Sequence, residues 1–253
     1  MPVSQSENSR ERGSLTVARF GETHWSVIRS AMDKQRPAGA DAALESLCRV
    51  YWPPLYAYIR RLGESPHDAQ DLTQAFFARF LERDFLAAVD QEKGRFRSFM
   101  LAALKHFLSN ERDKQRAQKR GGGRSLVPID FHDAESHCGF EPSQNVTPEI
   151  IFQRRWASAL LEQALARLRG EYADAGKEVW FEQLKQTLTE GRGTIAYADL
   201  AARLKTSEAA VKMAVHRLRQ RYREAIRSEI AATVAHPSQI EDELREVLRA
   251  LSA

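Results

Sequence analysis

The chain has 253 residues, of which 43% are hydrophobic and 28% charged, with a formal net charge of +4. That composition supplies enough apolar material for one large or two small packed domains and excludes a disordered chain. No run approaches the roughly 20 apolar residues a membrane span needs. The N-terminal MPVSQSENSRERGSLT has no apolar core of a secretory signal, so membrane insertion is not expected and a cytoplasmic location is.

Helical spacing of apolar residues dominates, and strand-like alternation is absent. The fold class expected is all-α: two helical domains joined by a flexible acidic linker, the C-terminal one containing a helix-turn-helix. The boundaries read as a disordered tail at 1–22, an N-terminal domain at 23–120, a linker at 121–147, a C-terminal domain at 148–230 and a helical extension at 231–253. The glycine triplet, the prolines and the scarcity of basic residues after position 124 mark the linker.

In chain order, the first predicted helix covers Asp41–Leu62, with Leu44, Leu47, Tyr51, Leu55 and Tyr58 on one side. Pro53-Pro54 is expected to kink or interrupt it. Ser65-Pro66-His67-Asp68 then reads as a cap, a proline at the first helical position and a carboxylate in the first turn. The helix it opens places Leu72, Phe76 and Phe80 inward and leaves Asp68, Asp71 and Gln74 on a polar surface. A third helix, Phe96–Lys119, carries Met100, Ala103, Leu104, Phe107 and Leu108 inward. Lys105, Ser109, Arg112 and Arg116 form a cationic ridge on it.

The second block opens with Thr147-Pro148-Glu149, and Phe152, Trp156, Leu160 and Ala164 follow every four residues. A helix near Lys177–Leu188 is expected to carry Val179, Trp180, Leu184 and Leu188. Next comes AYADLAARLKTSEAAVKMAVHRLRQRYREAIR, which predicts a short helix, a tight turn at Lys205-Thr206 and a long helix capped by Ser207. In the long helix Val211, Val215, Leu218, Tyr222 and Ile226 form an apolar line beside Lys212, His216, Arg219 and Arg223. This is the layout of a helix-turn-helix, whose second helix reads the major groove. A last helix is expected in His236–Ala253, capped by Ser238, with Ile240, Leu244, Val247, Leu248 and Leu251 apolar.

The charge is distributed unevenly. Residues 92–124 hold ten Lys or Arg against three acids, and residues 203–227 hold eight against two, which leaves −9 for the remainder. Two separate basic clusters in a near-neutral chain point to two contacts with a polyanion.

Chemistry beyond binding finds little support. The two cysteines are too few for a disulfide framework, and Cys48 reads as a buried small residue. Cys138 follows His132 and His137 closely but without metal-site spacing. No nucleophile motif, phosphate-cradling glycine loop or HExxH occurs. No metal, no cofactor and no enzymatic activity are expected.

The segments together resemble a known family. YADLAARLKTSEAAVKMAVHRLRQRYR is similar to the C-terminal DNA-binding region of bacterial sigma factors of the extracytoplasmic-function (ECF) group. LYAYIRRLGESPHDAQDLTQAFFARFLE resembles their polymerase-docking helix, and KGRFRSFMLAALKHFLSNERDKQRAQKR their promoter-melting, minus-ten-reading helix. The resemblance covers roughly 55–120 and 150–230. It implies transcription initiation with two partners, core RNA polymerase and promoter DNA, and an anti-sigma factor as a regulator to look for. It assigns Asp68, Asp71, Leu72 and Gln74 to polymerase. It assigns Arg95, Phe96, Arg97, Phe99, Lys105, Asn110, Arg112 and Arg116 to the minus-ten region. Ser207, Glu208, Lys212, His216, Arg217 and Arg219 fall to the upstream element.

Exposed aromatics at Phe96 and Phe99 would stack unpaired bases, at about 1–3 kcal/mol per base; the alternative for each is core packing. The chain departs from the commoner pattern in four places. Lys205 stands where such factors often have glycine, and a left-handed lysine there would cost on the order of 1 kcal/mol. The segment Glu171–Arg192 is long, and His236–Ala253 and His24-Trp25-Ser26 lie outside the pattern. The nearest alternative is a helix-turn-helix regulator acting independently of polymerase docking. It would dimerise on a palindromic site, and the DAQDLTQ helix gives it no purpose.

Overall fold

The computed structural model describes residues 40–82, 95–118, 146–189 and 196–252. The expectations for the tail 1–22, for His24-Trp25-Ser26, for most of the linker, and for His132, His137 and Cys138 lie outside these residues. All regular structure among the described residues is helical, as the periodicity predicts.

Helix α1 (Ala40–Arg61) buries Leu47, Tyr51, Leu55 and Ile59. Of the kink or interruption expected at Pro53 and Pro54, the interruption does not occur, and the helix runs through both. Each proline lacks an amide N–H, so helix hydrogen bonds are lost. Burial of Trp52, Leu55 and Tyr56 on either side holds the backbone helical all the same. Helix α2 (Pro66–Phe80) starts as its sequence dictates: Ser65 Oγ accepts from the Asp68 amide at 3.1 Å, and Pro66 occupies the first turn. Helix α3 (Phe96–Gln118) turns Met100, Ala103, Leu104, Phe107 and Leu108 inward.

Helix α4 (Pro148–Asp174) is capped by Thr147, whose Oγ1 accepts from the Ile150 amide at 3.3 Å. At about 1.5 Å per residue it is long enough to serve two cores, and it does. Its first half gives Phe152, Trp156, Ala157 and Leu160 to a core built with α1, α2 and α3. Farther along, Leu168 enters a second core with Phe181, Leu184, Leu200, Ala201, Val211, Val215 and Leu218.

Where one helix is expected near Lys177–Leu188, two short ones form, α5 (Glu178–Leu184) and α6 (Gln186–Thr189). Their register also differs from the expected one. Phe181 is buried while Val179 is 69% exposed. Two helical turns are too few for apolar spacing to choose between adjacent faces.

Helix α7 (Tyr197–Arg203) and helix α8 (Glu208–Thr233) follow. The turn between them is a Schellman cap. The Thr206 amide bonds the Ala201 carbonyl at 2.9 Å, and the Lys205 amide bonds that of Ala202 at 3.3 Å. Lys205 sits there at φ 50°, a left-handed lysine. The same hydrogen-bond pattern ends α4, with Gly176 in the left-handed place.

A 3₁₀ turn (Pro237–Gln239) leads into helix α9 (Ile240–Ser252). Gln239, rather than Ser238, closes the entry: its side-chain oxygen accepts from the Ala235 amide at 3.2 Å and the His236 amide at 3.3 Å. Helix α9 packs on α4 and α8. Val247 is buried, whereas Leu248 and Leu251 are exposed.

Candidate nucleic-acid interface

On α2, Asp68 and Asp71 are exposed, and Leu72 and Gln74 are half-buried. Asp68 accepts from Ser65 Oγ at 2.6 Å and Asp71 pairs with His67 at 3.1 Å. Leu72 rests against the first core. Both acids are thus held near the start of a capped helix, where the charge of Asp68, in the first turn, also suits the helix dipole.

Helix α3 presents a different picture. Phe96 is fully buried, edge-on to Tyr51 with ring centroids 5.3 Å apart. Phe99 is half-buried and packs on Phe80 at 6.2 Å and on Phe96 at 5.9 Å. In this arrangement both rings are engaged in packing.

Arg97 is 5% exposed and points inward. Its Nε donates to Glu243 Oε1 at 2.6 Å, its Nη2 to Glu243 Oε2 at 3.3 Å, and its Nη1 to Gln153. Its guanidinium lies 4.8 Å from the centre of the Trp156 ring. Arg95 Nε pairs with the same Glu243 carboxylate at 2.9 Å. The carboxylate itself is 0% exposed. A buried charge needs such a partner set, because an isolated one would cost several kcal/mol in desolvation.

Farther along α3, Lys105 pairs with Glu149 at 2.7 Å and lies 5.9 Å from the Tyr58 ring centre. The hydrogen bond between them raises the Lys105 pKa and holds the Glu149 carboxyl below the ordinary carboxylate range. Asn110 contacts His106 Nδ1 at 3.2 Å. Arg112 reaches Glu64 at 3.9 Å. Arg116 is on α3, its side chain outside the described residues. Arg61 Nε also donates to the Val146 carbonyl at 2.9 Å, so α1 holds the chain where the second block begins.

The second cationic element is α8. Ser207 caps it through the Ala210 amide at 3.2 Å, and Glu208 is the acid of its first turn. Lys212, His216, Arg217 and Arg223 are exposed, while Val211, Val215 and Leu218 face the core. Arg219 differs from its neighbours. Its Nε and Nη2 donate to the Thr187 carbonyl at 3.2 and 2.7 Å, so it braces α6 against α8. Arg221 is engaged by Glu171 at 2.6 Å and Glu224 at 3.2 Å.

Glu243, Gln153 and Trp156 are not among the residues that the sequence predicts for this site. A signal for Glu243 exists: it is an acid within the apolar stripe of Ile240, Leu244 and Val247. An acid in an apolar stripe is seldom buried without a partner.

No group of three or more potential metal ligands occurs among the described residues. No described helix is long and apolar enough to cross a membrane. No curated protein and no solved structure matches the chain. Residues 47–118, most of α1 with all of α2 and α3, match the family model for Sigma-70 region 2. That match covers less than a third of the sequence and supports a sigma factor of the sigma-70 family, acting in promoter recognition by RNA polymerase.

Proposed function

We propose that this chain is a sigma factor of the extracytoplasmic-function group, which directs core RNA polymerase to specific promoters in the cytoplasm. The observation that carries the reading is the coincidence of the region 2 match with α1–α3, the helices that hold the exposed acids of α2 and the cations of α3. Asp68 and Asp71, with Leu72 and Gln74 beside them, form the surface that grips polymerase. Arg95, Arg97, Lys105, Asn110, Arg112 and Arg116 serve the minus-ten segment. Phe96 sets the packing of that segment, and Phe99 is the ring nearer solvent.

Helices α7 and α8 act as a helix-turn-helix. Ser207 and Glu208 fix the start of the reading helix, and Lys212, His216 and Arg217 supply contacts to bases and phosphates. Arg219 supports that helix from behind. An anti-sigma protein is the expected kind of external regulator.

The test is transcription in vitro from sheared genomic DNA by purified core polymerase, with and without this protein. New start sites sharing an upstream and a minus-ten sequence are expected only with the protein. Reversing charge at Asp68 and Asp71 should abolish co-purification with core polymerase while leaving helicity intact. Start sites unchanged by the protein would refute the reading.

A further inference from the structure

Helix α9 occupies two of the cations that the proposed function gives to promoter DNA. Glu243 offers both carboxylate oxygens to Arg95 and Arg97. A guanidinium recognises carboxylate and phosphate through the same two-pronged geometry, so the two anions are interchangeable partners. Gln153 takes another nitrogen of Arg97, and the Trp156 ring covers its face. Lys105 is paired by Glu149 of α4 through a single contact at 2.7 Å. Acids of the second block thus stand where phosphates would.

Helix α9 packs on α4 and α8 with few of its side chains fully buried. Among its residues only Glu243 and Val247 are fully buried. Ile240, Leu244 and Ala250 are partly covered, and Leu248 and Leu251 face solvent. Arg227 and Glu241 add an exposed ion pair, of the kind that contributes little. The segment from Val234 through the 3₁₀ turn joins it to α8.

We propose that α9 is a built-in competitor of the promoter strand: Glu243 clasps Arg95 and Arg97 in the free chain and withdraws when DNA phosphate takes its place. The proposal rests on the sigma-factor reading and adds its regulation. A permanent structural role for α9 predicts the opposite response, weaker binding on loss of the carboxylate, because Arg95 and Arg97 would then be left without an anionic partner.

The test uses the full chain as wild type, Glu243→Gln and Glu241→Gln, with a short single-stranded DNA oligonucleotide of mixed sequence. Both variants lose one negative charge on α9, but only the first loses the clasp. If about nine-tenths of the free chain is closed, Glu243→Gln should bind about tenfold tighter. Glu241→Gln should shift by less than about twofold, the general electrostatic effect of one exposed charge. Amide exchange in wild type gives a check that needs no variant: saturating oligonucleotide should accelerate exchange across 237–252. Equal affinities for the two variants, or α9 exchange unchanged by bound DNA, would overturn the clasp while leaving the sigma reading in place. If no form binds the oligonucleotide and none directs core polymerase, the sigma reading fails and the clasp falls with it.

Discussion

Helices α3 and α8 each carry a row of lysine and arginine, but the leading cations of the α3 row are met by acids from the second block, whereas on α8 Lys212, His216, Arg217 and Arg223 are exposed and the engaged Arg219, Arg221 and Arg227 stand beside them. Arg95, Arg97 and Lys105 each meet a carboxylate from the second block. Lys212, His216 and Arg217 stand exposed on α8. The difference teaches that the charge of a helix does not by itself decide whether a polyanion can reach it. At Arg97, 5% exposed, desolvation decides it. A guanidinium taken out of water must be matched where it lies, and the match that stabilises it also blocks its use. An exposed cation row needs no such match, and its self-repulsion is screened by salt.

The comparison is broken most severely at Trp156, which lies against Arg97 and is fully buried. Trp156→Ala should cost about 3–5 kcal/mol in denaturant unfolding, from lost burial and the cavity left. Met213→Ala, at a residue 53% exposed on α8, should stay within about 0.5 kcal/mol. Similar losses at both positions would show that the closed side is no better packed than the open one.

The open side is sharpened by salt. Lys212→Ala with Arg217→Ala should reduce the slope of log affinity against log salt by about 1 per residue, measured with duplex upstream promoter DNA and holoenzyme. An unchanged slope would mean that these side chains do not meet phosphate.

A smaller effect is expected at the turn before α8. Lys205→Gly should stabilise the chain by about 1 kcal/mol, because glycine carries no Cβ to clash in the left-handed conformation. For a chain of this size that raises the midpoint of thermal unfolding by about 2–4 °C.

The smallest effect concerns pH and the Lys105–Glu149 pair. The Lys105 hydrogen bond lowers the Glu149 pKa. Its stabilisation is therefore fully present above the unfolded-state value and is lost as pH falls through the lowered folded value. Lys105, raised by the same bond, keeps its contribution below its unfolded value and loses it only in strong alkali. The side chains are 48% and 44% exposed, so solvent screens the pair to under about 1 kcal/mol. Wild type should lose slightly more stability than Lys105→Met between about pH 6 and pH 3. Parallel losses would show the pair to be without effect.

Much of the local structure was legible in the chain. The caps at Ser65, Thr147 and Ser207 depend on residues within one turn, and the stripes of α1, α3 and α8 span enough turns for the period to be unambiguous. Short or terminal elements were less legible. Neither the break between α5 and α6 nor the inward register of Phe181 can be read from seven residues. The helix through Pro53-Pro54 went against local preference because burial on both sides outweighed two missing hydrogen bonds.

The sequence by itself determined an all-helical chain with two clusters of positive charge, an acid-bearing helix between caps, and a short helix, turn and long helix near the end. Each follows from interactions among neighbours along the chain. Only the tertiary structure decided which cations are available. Arg97 and Glu243 are 146 positions apart, and no local rule links them. Their pairing arises because α4 reaches both cores and carries α9 back onto the start of α3, where water is excluded and each charge must find its counterpart.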